Sequence, residues 1–159
     1  MLFRSEVETD SLLQLVVSTG LSGRDVAILR TYSSYVSQWL PYGLASVHAA
    51  LIHNSAVAQR LADLFRWRFE AADQSRADAE AALLRAVLDE VASLDHDRIL
   101  RAVCETVLAT TRTNAFALNA DGALHSTIAL KLSPTMMSML PLPHPYAEIW
   151  LDEIGRAHV

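Results

Sequence analysis

The stretch from Thr110 to Trp150 decides the fold: it contains Thr-Thr-Arg-Thr-Asn-Ala-Phe at 110–116, Leu-His-Ser-Thr-Ile-Ala-Leu-Lys-Leu at 124–132 and Tyr-Ala-Glu-Ile-Trp at 146–150. In the second run, apolar side chains alternate with polar or small ones, and this period of two is typical of a strand with one buried face. An Asp-Gly pair between the first two runs is a strong hairpin signal. The stretch therefore predicts about three β-strands.

The residues before this stretch follow a helical period instead. Apolar residues recur three or four positions apart in five or six segments, separated by short polar loops. Gly20 is expected to end the first helix. Ser22 and Asp25 are expected to form a capping box for the second helix, and Pro41 to end it. Asp95 is expected to cap the last helix.

The fold class is therefore predicted as α+β. A mostly helical bundle of five or six helices is expected over residues 6–109, with short loops as in an antiparallel bundle. About three strands are expected over residues 110–152. Because three strands leave open edges that need partners, they are interpreted as the start of a truncated second domain.

Composition and charge narrow the classes of function. The 159 residues are 52% hydrophobic and carry a formal net charge of −5, which argues against a nucleic-acid-binding surface, since such a surface needs a clustered basic face. No apolar run approaches the roughly 20 residues of a membrane-spanning helix. The single cysteine, Cys104, cannot form an internal disulfide, so a reducing, cytoplasmic setting is expected.

Residues that could carry chemistry do not form a recognisable constellation. The five glycines are not spaced as a phosphate-binding loop. Cys104 lies on the apolar side of its helix and is predicted to be a buried, inert thiol. Ser126 and Ser133 lack the Gly-x-Ser-x-Gly turn of a nucleophile. Six histidines are far apart in the sequence and are predicted to be structural or solvated: His48, His53, His96, His125, His144 and His158. The sequence therefore assigns no catalytic, cofactor-binding or metal-binding residue.

Two segments have both a functional and a structural interpretation. Arg60, Arg66 and Arg68 are interleaved with aromatic residues, as in a nucleic-acid-binding patch, but the acidic net charge favours a solvated helix face. The methionines of residues 136–139 could form an adaptable contact surface. Filling a gap between domains is the favoured interpretation.

Four polar residues stand at the ends of predicted strands: Arg112, Thr113, Asn114 and Lys131. Polar groups at such positions can orient a neighbouring domain or a ligand. Packing or capping is the default interpretation for them.

Four motifs, in this order, point to a family: Gly20-Leu-Ser-Gly-Arg-Asp-Val-Ala-Ile-Leu-Arg-Thr-Tyr32, Thr111-Arg-Thr-Asn114, Leu130-Lys-Leu132 and Leu140-Pro-Leu-Pro-His-Pro-Tyr-Ala-Glu-Ile149. Together they resemble the large type of bacterial NAD-specific glutamate dehydrogenase. The resemblance covers nearly all of Glu6 to Asp152.

The resemblance implies a place in a much longer polypeptide, in which helical regulatory segments precede a catalytic domain. The parent would oxidise L-glutamate to 2-oxoglutarate and ammonium, with NAD as the hydride acceptor. It is expected to be a cytoplasmic homo-oligomer without nucleic-acid or membrane partners. The family's lysine-bearing and dinucleotide-binding stretches lie beyond Trp150, so no catalytic or cofactor role is carried over to any residue, and turnover by this chain alone is not expected.

One further expectation concerns the two ends of the chain, and two alternatives compete with this interpretation. Residues 1–5 and 153–159 resemble translated adapter DNA, so both ends are expected to be non-native. The main alternative is a stand-alone helical interaction or regulatory module without enzymatic activity. A helix-turn-helix regulator built on Ser22–Leu40 is disfavoured by the acidity of the chain.

Overall fold

A computed structural model describes residues 2–145 and 147–153, with side chains described from Ser11 onward. Its helices are α1 (Leu2–Thr19), α2 (Gly23–Val36), α3 (Leu44–His53), α4 (Ser55–Phe69), α5 (Gln74–Leu88) and α6 (Leu94–Ala109). They are followed by β1 (Thr110–Thr113), β2 (Thr127–Leu132), a 3₁₀ turn (Pro134–Met136) and β3 (Glu148–Glu153). The predicted α+β fold, a helical bundle followed by a few strands, is confirmed.

Some of the predicted positions lie outside the described residues. These are Met1 and residues 154–159, from the two ends expected to be non-native, and Tyr146, the expected start of the third strand. In the part of the chain that is described, no helix is both long enough and apolar enough to span a membrane.

The turn between α1 and α2 follows its sequence signals. Gly20 adopts a positive φ of 75° after the last residue of α1, a conformation that favours glycine because a Cβ would be strained there. Ser22 then caps α2: its side chain accepts a hydrogen bond from the Asp25 amide, and the Asp25 carboxylate accepts one from the Ser22 amide. The predicted capping box is therefore confirmed.

Two helix boundaries differ from the expected ones. α2 ends at Val36, before Pro41, because the chain tightens into i→i−3 turns; the amides of Gln38 and Trp39 donate to carbonyls three residues back. Ser93, not Asp95, is the N-cap of α6, and its hydroxyl accepts a hydrogen bond from the His96 amide. Asp95 lies in the first turn instead, where a carboxylate is favoured by the helix dipole.

α2 is the central helix of the bundle. Ten of its 14 residues are buried, whereas an ordinary surface helix buries only one stripe. Tyr32 and Tyr35 of this helix and Phe65 of α4 are among the largest fully buried side chains. The rings of Tyr32 and Phe65 meet edge to face, with 5.8 Å between centroids. α2 therefore has partners on nearly all sides.

The three strands form one antiparallel sheet in the order β1-β2-β3. Its inner face, formed by Ile128, Leu130, Leu132 and Trp150, packs against the helices. Its outer face carries Arg112, Lys131, Ile149 and Leu151, all of which are exposed. Among the described residues, the bundle covers the inner face of the sheet and leaves the outer face exposed.

The Asp121-Gly122 pair forms a short turn and, contrary to the prediction from the sequence, does not connect β1 directly to β2. Asp121 and Gly122 lie in a turn closed by an isolated bridge between Leu118 and Leu124, within the long connection from β1 to β2. β2 begins only at Thr127, although its buried alternation is as predicted. β1 ends at Thr113 because the chain turns at Asn114, whose carbonyl accepts a hydrogen bond from the amide of Ala117 at 2.9 Å.

We expect Ser22→Ala to lower the free energy of unfolding by about 1–2 kcal/mol, because the Asp25 amide loses its cap. Urea unfolding of the variant and of the unchanged chain measures the difference. The control is Ser75→Ala at an exposed site in α5, which should change stability by less than about 0.5 kcal/mol. Equal effects of the two substitutions would contradict the capping role.

Candidate functional site

The candidate site is the junction between α2 and the sheet, where side chains of α2 bond to residues 78 to 121 positions away in the sequence. α2 contacts the inner face of the sheet, and a separate, exposed pocket lies on the outer face. The buried contact joins residues far apart in the sequence, and the outer pocket is formed by the strands and the loop that precedes β3.

The deepest contact is a chain of hydroxyl groups. The Tyr32 and Thr110 hydroxyls are 2.7 Å apart, and both residues are fully buried. The single hydroxyl hydrogen of Thr110 goes to the carbonyl of Thr106 at 2.9 Å, so Tyr32 donates to Thr110. Burial raises the pKa of the Tyr32 phenol above its ordinary value, which keeps it a neutral donor. Thr110 is the first residue of β1, so this bond fixes the start of the sheet on α2.

A second contact joins α2 to β3. The Tyr35 hydroxyl donates to the carboxylate of Glu148 at 2.9 Å. The Tyr35 ring meets the Trp150 ring edge to face at 5.4 Å between centroids, a geometry that the ring quadrupoles favour. Since Trp150 pairs with Leu130 in the sheet register, this contact positions β2 as well as β3.

Asp152 forms the third contact and is electrostatically unfavourable. Its carboxylate lies 3.2 Å from the Thr31 hydroxyl, whose hydrogen is shared with the carbonyl of Ala27 at 2.9 Å. Burial raises the pKa of Asp152 above its ordinary 3.8, despite that hydrogen bond and the nearby charge of Arg30. Protonation of the Asp152 carboxylate is therefore easier in the folded state than in an exposed aspartate.

The first turn of α2 holds the connection that leaves β1. Arg24 donates through Nε and Nη2 to the carbonyl of Ala115, at 2.9 and 2.6 Å, and through Nη1 to the carbonyl of His125 at 3.1 Å. Both ends of the long β1–β2 connection are thus held by one guanidinium group, whose planar fork suits such multiple bonds.

Asn114 shapes the same connection from inside. Its side-chain amide donates to the carbonyl of Thr127 at 2.9 Å, and its side-chain oxygen accepts from the amide of Ala129 at 2.8 Å. The Asn114 side chain thus supplies the hydrogen bonds that a neighbouring strand would otherwise make with Thr127 and Ala129 at the start of β2. The default interpretation of this residue as a packing or capping group fits the observed contacts.

The prediction of a solvated arginine face on α4 is wrong for two of its three residues. Arg66 donates to the Asp25 carboxylate at 2.6 Å and lies over the Phe116 ring at 5.3 Å. Arg68 is half-buried and donates to the carbonyl of Val107. Long side chains can bury their stems while their charged ends remain bonded, and net charge alone does not reveal such contacts. Arg60, which is partly exposed and pairs with Glu80, is closest to the expectation.

The other candidate residues are dispersed over the described part of the chain. Cys104 is buried and its pKa is raised to about 11 by burial, as expected for an inert thiol. His53 and His96 have neighbouring rings, 5.5 Å between centroids. No group of three or more possible metal ligands comes together among the described residues. Met137 is buried whereas Met136 is exposed, so the methionine segment both fills the core and reaches the surface.

The pocket on the outer face contains the exposed basic residues of the sheet. It has a volume of about 480 Å³ and is lined by Thr111, Arg112, Lys131, Leu132, Ser133, Thr135 and Ala147. Another pocket, of about 510 Å³, lies between α4, α5 and α6 and includes Arg68, Arg85, Arg101 and Cys104. The assignment of no catalytic, cofactor or metal residue stays a prediction.

Comparison with protein families places the two halves of the chain in domains of glutamate dehydrogenases. Residues 7–71 match the family model described as "Glutamate dehydrogenase, helical motif 3". Residues 83–155 match "Bacterial NAD-glutamate dehydrogenase, catalytic domain". The first match contains α2 and the second contains the whole sheet, so the α2–sheet junction joins the two matched segments.

Individual relatives agree with this class. The chain is 36% identical over 157 residues to the NAD-specific glutamate dehydrogenase of Mycobacterium tuberculosis, 32% over 155 residues to that of Halomonas elongata, and 36% over 155 residues to that of Pseudomonas aeruginosa. These alignments cover 94%, 94% and 92% of the chain but 10% of each relative. The chain belongs to the bacterial NAD-specific glutamate dehydrogenase family and spans about a tenth of the length of these relatives.

We expect Tyr32→Phe to lower the free energy of unfolding by about 1 kcal/mol, since it removes one buried hydrogen bond without a change in shape. Chemical unfolding measures the loss. Tyr42→Phe is the matched control, because the Tyr42 hydroxyl donates to Asp95 in an exposed position; it should cost clearly less. A larger loss for Tyr42→Phe would contradict the role of the buried hydroxyl pair.

Asp152 predicts a pH dependence of stability with a definite sign. The pKa of Asp152 in the folded state lies above its unfolded value of 3.8, so the folded state binds more protons than the unfolded state. As pH rises from about 3.8 through the folded pKa, the contribution of this group to the free energy of unfolding therefore falls. Asp152→Asn removes that loss. Its stability relative to the unchanged chain should therefore increase over this interval, measured by urea unfolding at several pH values.

The control for this pH dependence is Asp121→Asn, at an exposed turn position. This variant shows how much of any effect comes from removing a carboxyl group as such, since Asp121 is exposed whereas Asp152 is partly buried. If Asp152→Asn behaved in the same way, the carboxyl group would not be perturbed by its environment in the folded state.

Proposed function

We propose that this chain forms the junction between a helical regulatory segment and the first strands of the catalytic domain in a glutamate dehydrogenase. The complete protein would convert L-glutamate, NAD and water into 2-oxoglutarate, ammonium and NADH. Support comes from the family membership and from the names of relatives that are about ten times longer than the matched region.

The observation that carries the proposal is the buried contact of α2 with the sheet. Tyr32, Tyr35 and Arg24 all lie in the region matched as a helical motif. Their partners, which include Thr110, Glu148 and Ala115, all lie in the region matched as catalytic. A contact of this kind holds a catalytic domain in a fixed position relative to the segment that precedes it.

The role proposed for this chain is positioning rather than chemistry. The lysine that activates water and the dinucleotide fold that holds NAD would lie in other parts of the complete protein. We place the division between the helical part, residues 6–109, and the first strands, residues 110–152, where α6 runs into β1 without a loop. The catalytic-domain match begins earlier, at residue 83, so the end of α5 and all of α6 belong to that match although they pack as part of the bundle. The chain by itself is expected to show no turnover.

The proposal includes a cytoplasmic homo-oligomer without nucleic-acid or membrane partners. A single buried thiol fits a reducing compartment, and the acidic net charge fits the absence of a nucleic-acid surface. Sedimentation of the complete protein would give its oligomeric state.

The direct test uses the complete protein that contains this sequence. Purified protein should reduce NAD when L-glutamate is added, with much slower reduction of NADP. Absence of glutamate-dependent NADH formation in correctly folded protein would contradict the proposed activity.

The positioning role has its own test in the same protein. Arg24→Gln removes the hydrogen bonds that hold both ends of the β1–β2 connection and should lower kcat for glutamate oxidation by about tenfold, as misplacement remote from the chemistry can do. Arg98→Gln removes the same charge from an exposed position on α6 and should leave kcat unchanged. Equal activity of both variants would contradict the role of the junction.

A further inference from the structure

The outer face of the sheet places two cations side by side. Arg112 and Lys131 are partners in the antiparallel register of β1 and β2, so their Cβ atoms are about 5 Å apart. Both side chains are exposed and both line the pocket of about 480 Å³. Like charges directly opposite each other in a sheet repel and destabilise it. An anion bound between Arg112 and Lys131 would offset this repulsion.

An irregularity in β1 helps to build the pocket. The register shifts between Thr110 and Arg112, as at a β-bulge, where an extra residue re-aims the strand. Consequently two consecutive residues, Thr111 and Arg112, both line the pocket. In a regular strand, consecutive side chains would point to opposite faces.

Unlike most arginines of the described chain, the side chains of Arg112 and Lys131 have no carboxylate or carbonyl partner. The exposed Arg85 and Arg98 also lack an ion pair among the described residues, but they lie on helices and not opposite another cation in the sheet. Elsewhere in the described chain, Arg60, Arg66, Arg76 and Arg101 form ion pairs with carboxylates, and Arg24 and Arg68 donate to backbone carbonyls. Among the described residues, no acidic side chain pairs with Arg112 or Lys131, and none lines their pocket. The local positive charge is therefore not neutralised there, although the whole chain carries −5.

The remaining lining suits a small polar ligand. Three hydroxyl residues also line the pocket: Thr111, Ser133 and Thr135. The Thr111 hydroxyl donates to the carbonyl of Lys131 at 3.2 Å, whereas the Ser133 and Thr135 hydroxyls are 3.4 Å apart and share one hydrogen, which leaves one hydroxyl of that pair able to donate to an oxyanion. Arginine offers a planar fork for two oxygens, and lysine a point charge beside it. The volume is within the range of roughly 300–1,000 Å³ usual for small-molecule sites.

We propose that Arg112 and Lys131 form a binding site for a small oxyanion, a carboxylate or a phosphate, on the outer face of the sheet. The anion bridges the two cations and relieves their repulsion, while a hydroxyl of Ser133 or Thr135 contributes a hydrogen bond. The site is defined by the described sheet alone and does not depend on the proposed dehydrogenase activity.

The test is a titration of the complete chain, at constant ionic strength, with glutarate in one series and pyrophosphate in another. Backbone amide shifts are followed by NMR in the unchanged chain and in Arg112→Gln and Lys131→Gln. Arg98→Gln, which removes one exposed positive charge outside this pocket, is the matched control. A melting curve without added anion shows whether each variant is folded.

The expected result is saturable binding with shifts at Thr111, Lys131, Ser133 and Ala147. Each pocket substitution should weaken it by about tenfold or more, as the loss of one charge-assisted hydrogen bond does, and Arg98→Gln should leave it unchanged. Tighter binding of glutarate would identify a carboxylate site, and tighter binding of pyrophosphate a phosphate site. Without anion, the pocket variants should be at least as stable as the unchanged chain, because like-charge repulsion is removed.

Two results would overturn the proposal. One is the absence of saturable binding of either anion by the folded, unchanged chain. The other is binding that Arg98→Gln weakens as much as the pocket substitutions do, since the effect would then reflect overall charge.

Discussion

The contact between α2 and the inner face of the sheet is the constraint on which the rest depends. A three-stranded sheet cannot bury its apolar residues by itself, and here the helical bundle covers one face. The hydroxyl pair of Tyr32 and Thr110 is fully buried, and a buried polar group without its partner is costly. The register of the sheet on α2 is thereby restricted to positions that satisfy both hydroxyls, which apolar packing alone would not achieve.

The sequence predicted the architecture because the strongest signals are local. The capping box at Ser22 and Asp25, the Gly20 turn and the alternation in β2 all depend on neighbours within a few residues. Boundaries were less predictable where two residues compete for one role, as Ser93 and Asp95 do at α6.

The contacts that join bundle and sheet were not predictable. Arg24 and Ala115 are 91 residues apart, and Tyr35 and Glu148 are 113 apart, so no periodicity links them. Arg66 and Arg68 were misread for the same reason, since their acceptors lie on α2 and α6. The sequence singles out Arg112, Asn114 and Lys131 by their place at the ends of predicted strands. It does not predict that Arg112 and Lys131 are paired, because the pairing depends on the strand register across a β-bulge.

The central claim is that bundle and sheet form one cooperative unit through α2. Its most direct test is urea unfolding of the Trp39→Phe, Trp67→Phe double variant, in which Trp150 of β3 remains as the one tryptophan of the three in the sequence. Trp150 fluorescence then reports on the sheet, and far-ultraviolet circular dichroism on the helices. The account predicts the same midpoint and slope for both signals. A Trp150 transition at lower urea than the helical transition would mean that the sheet unfolds separately and would contradict the account.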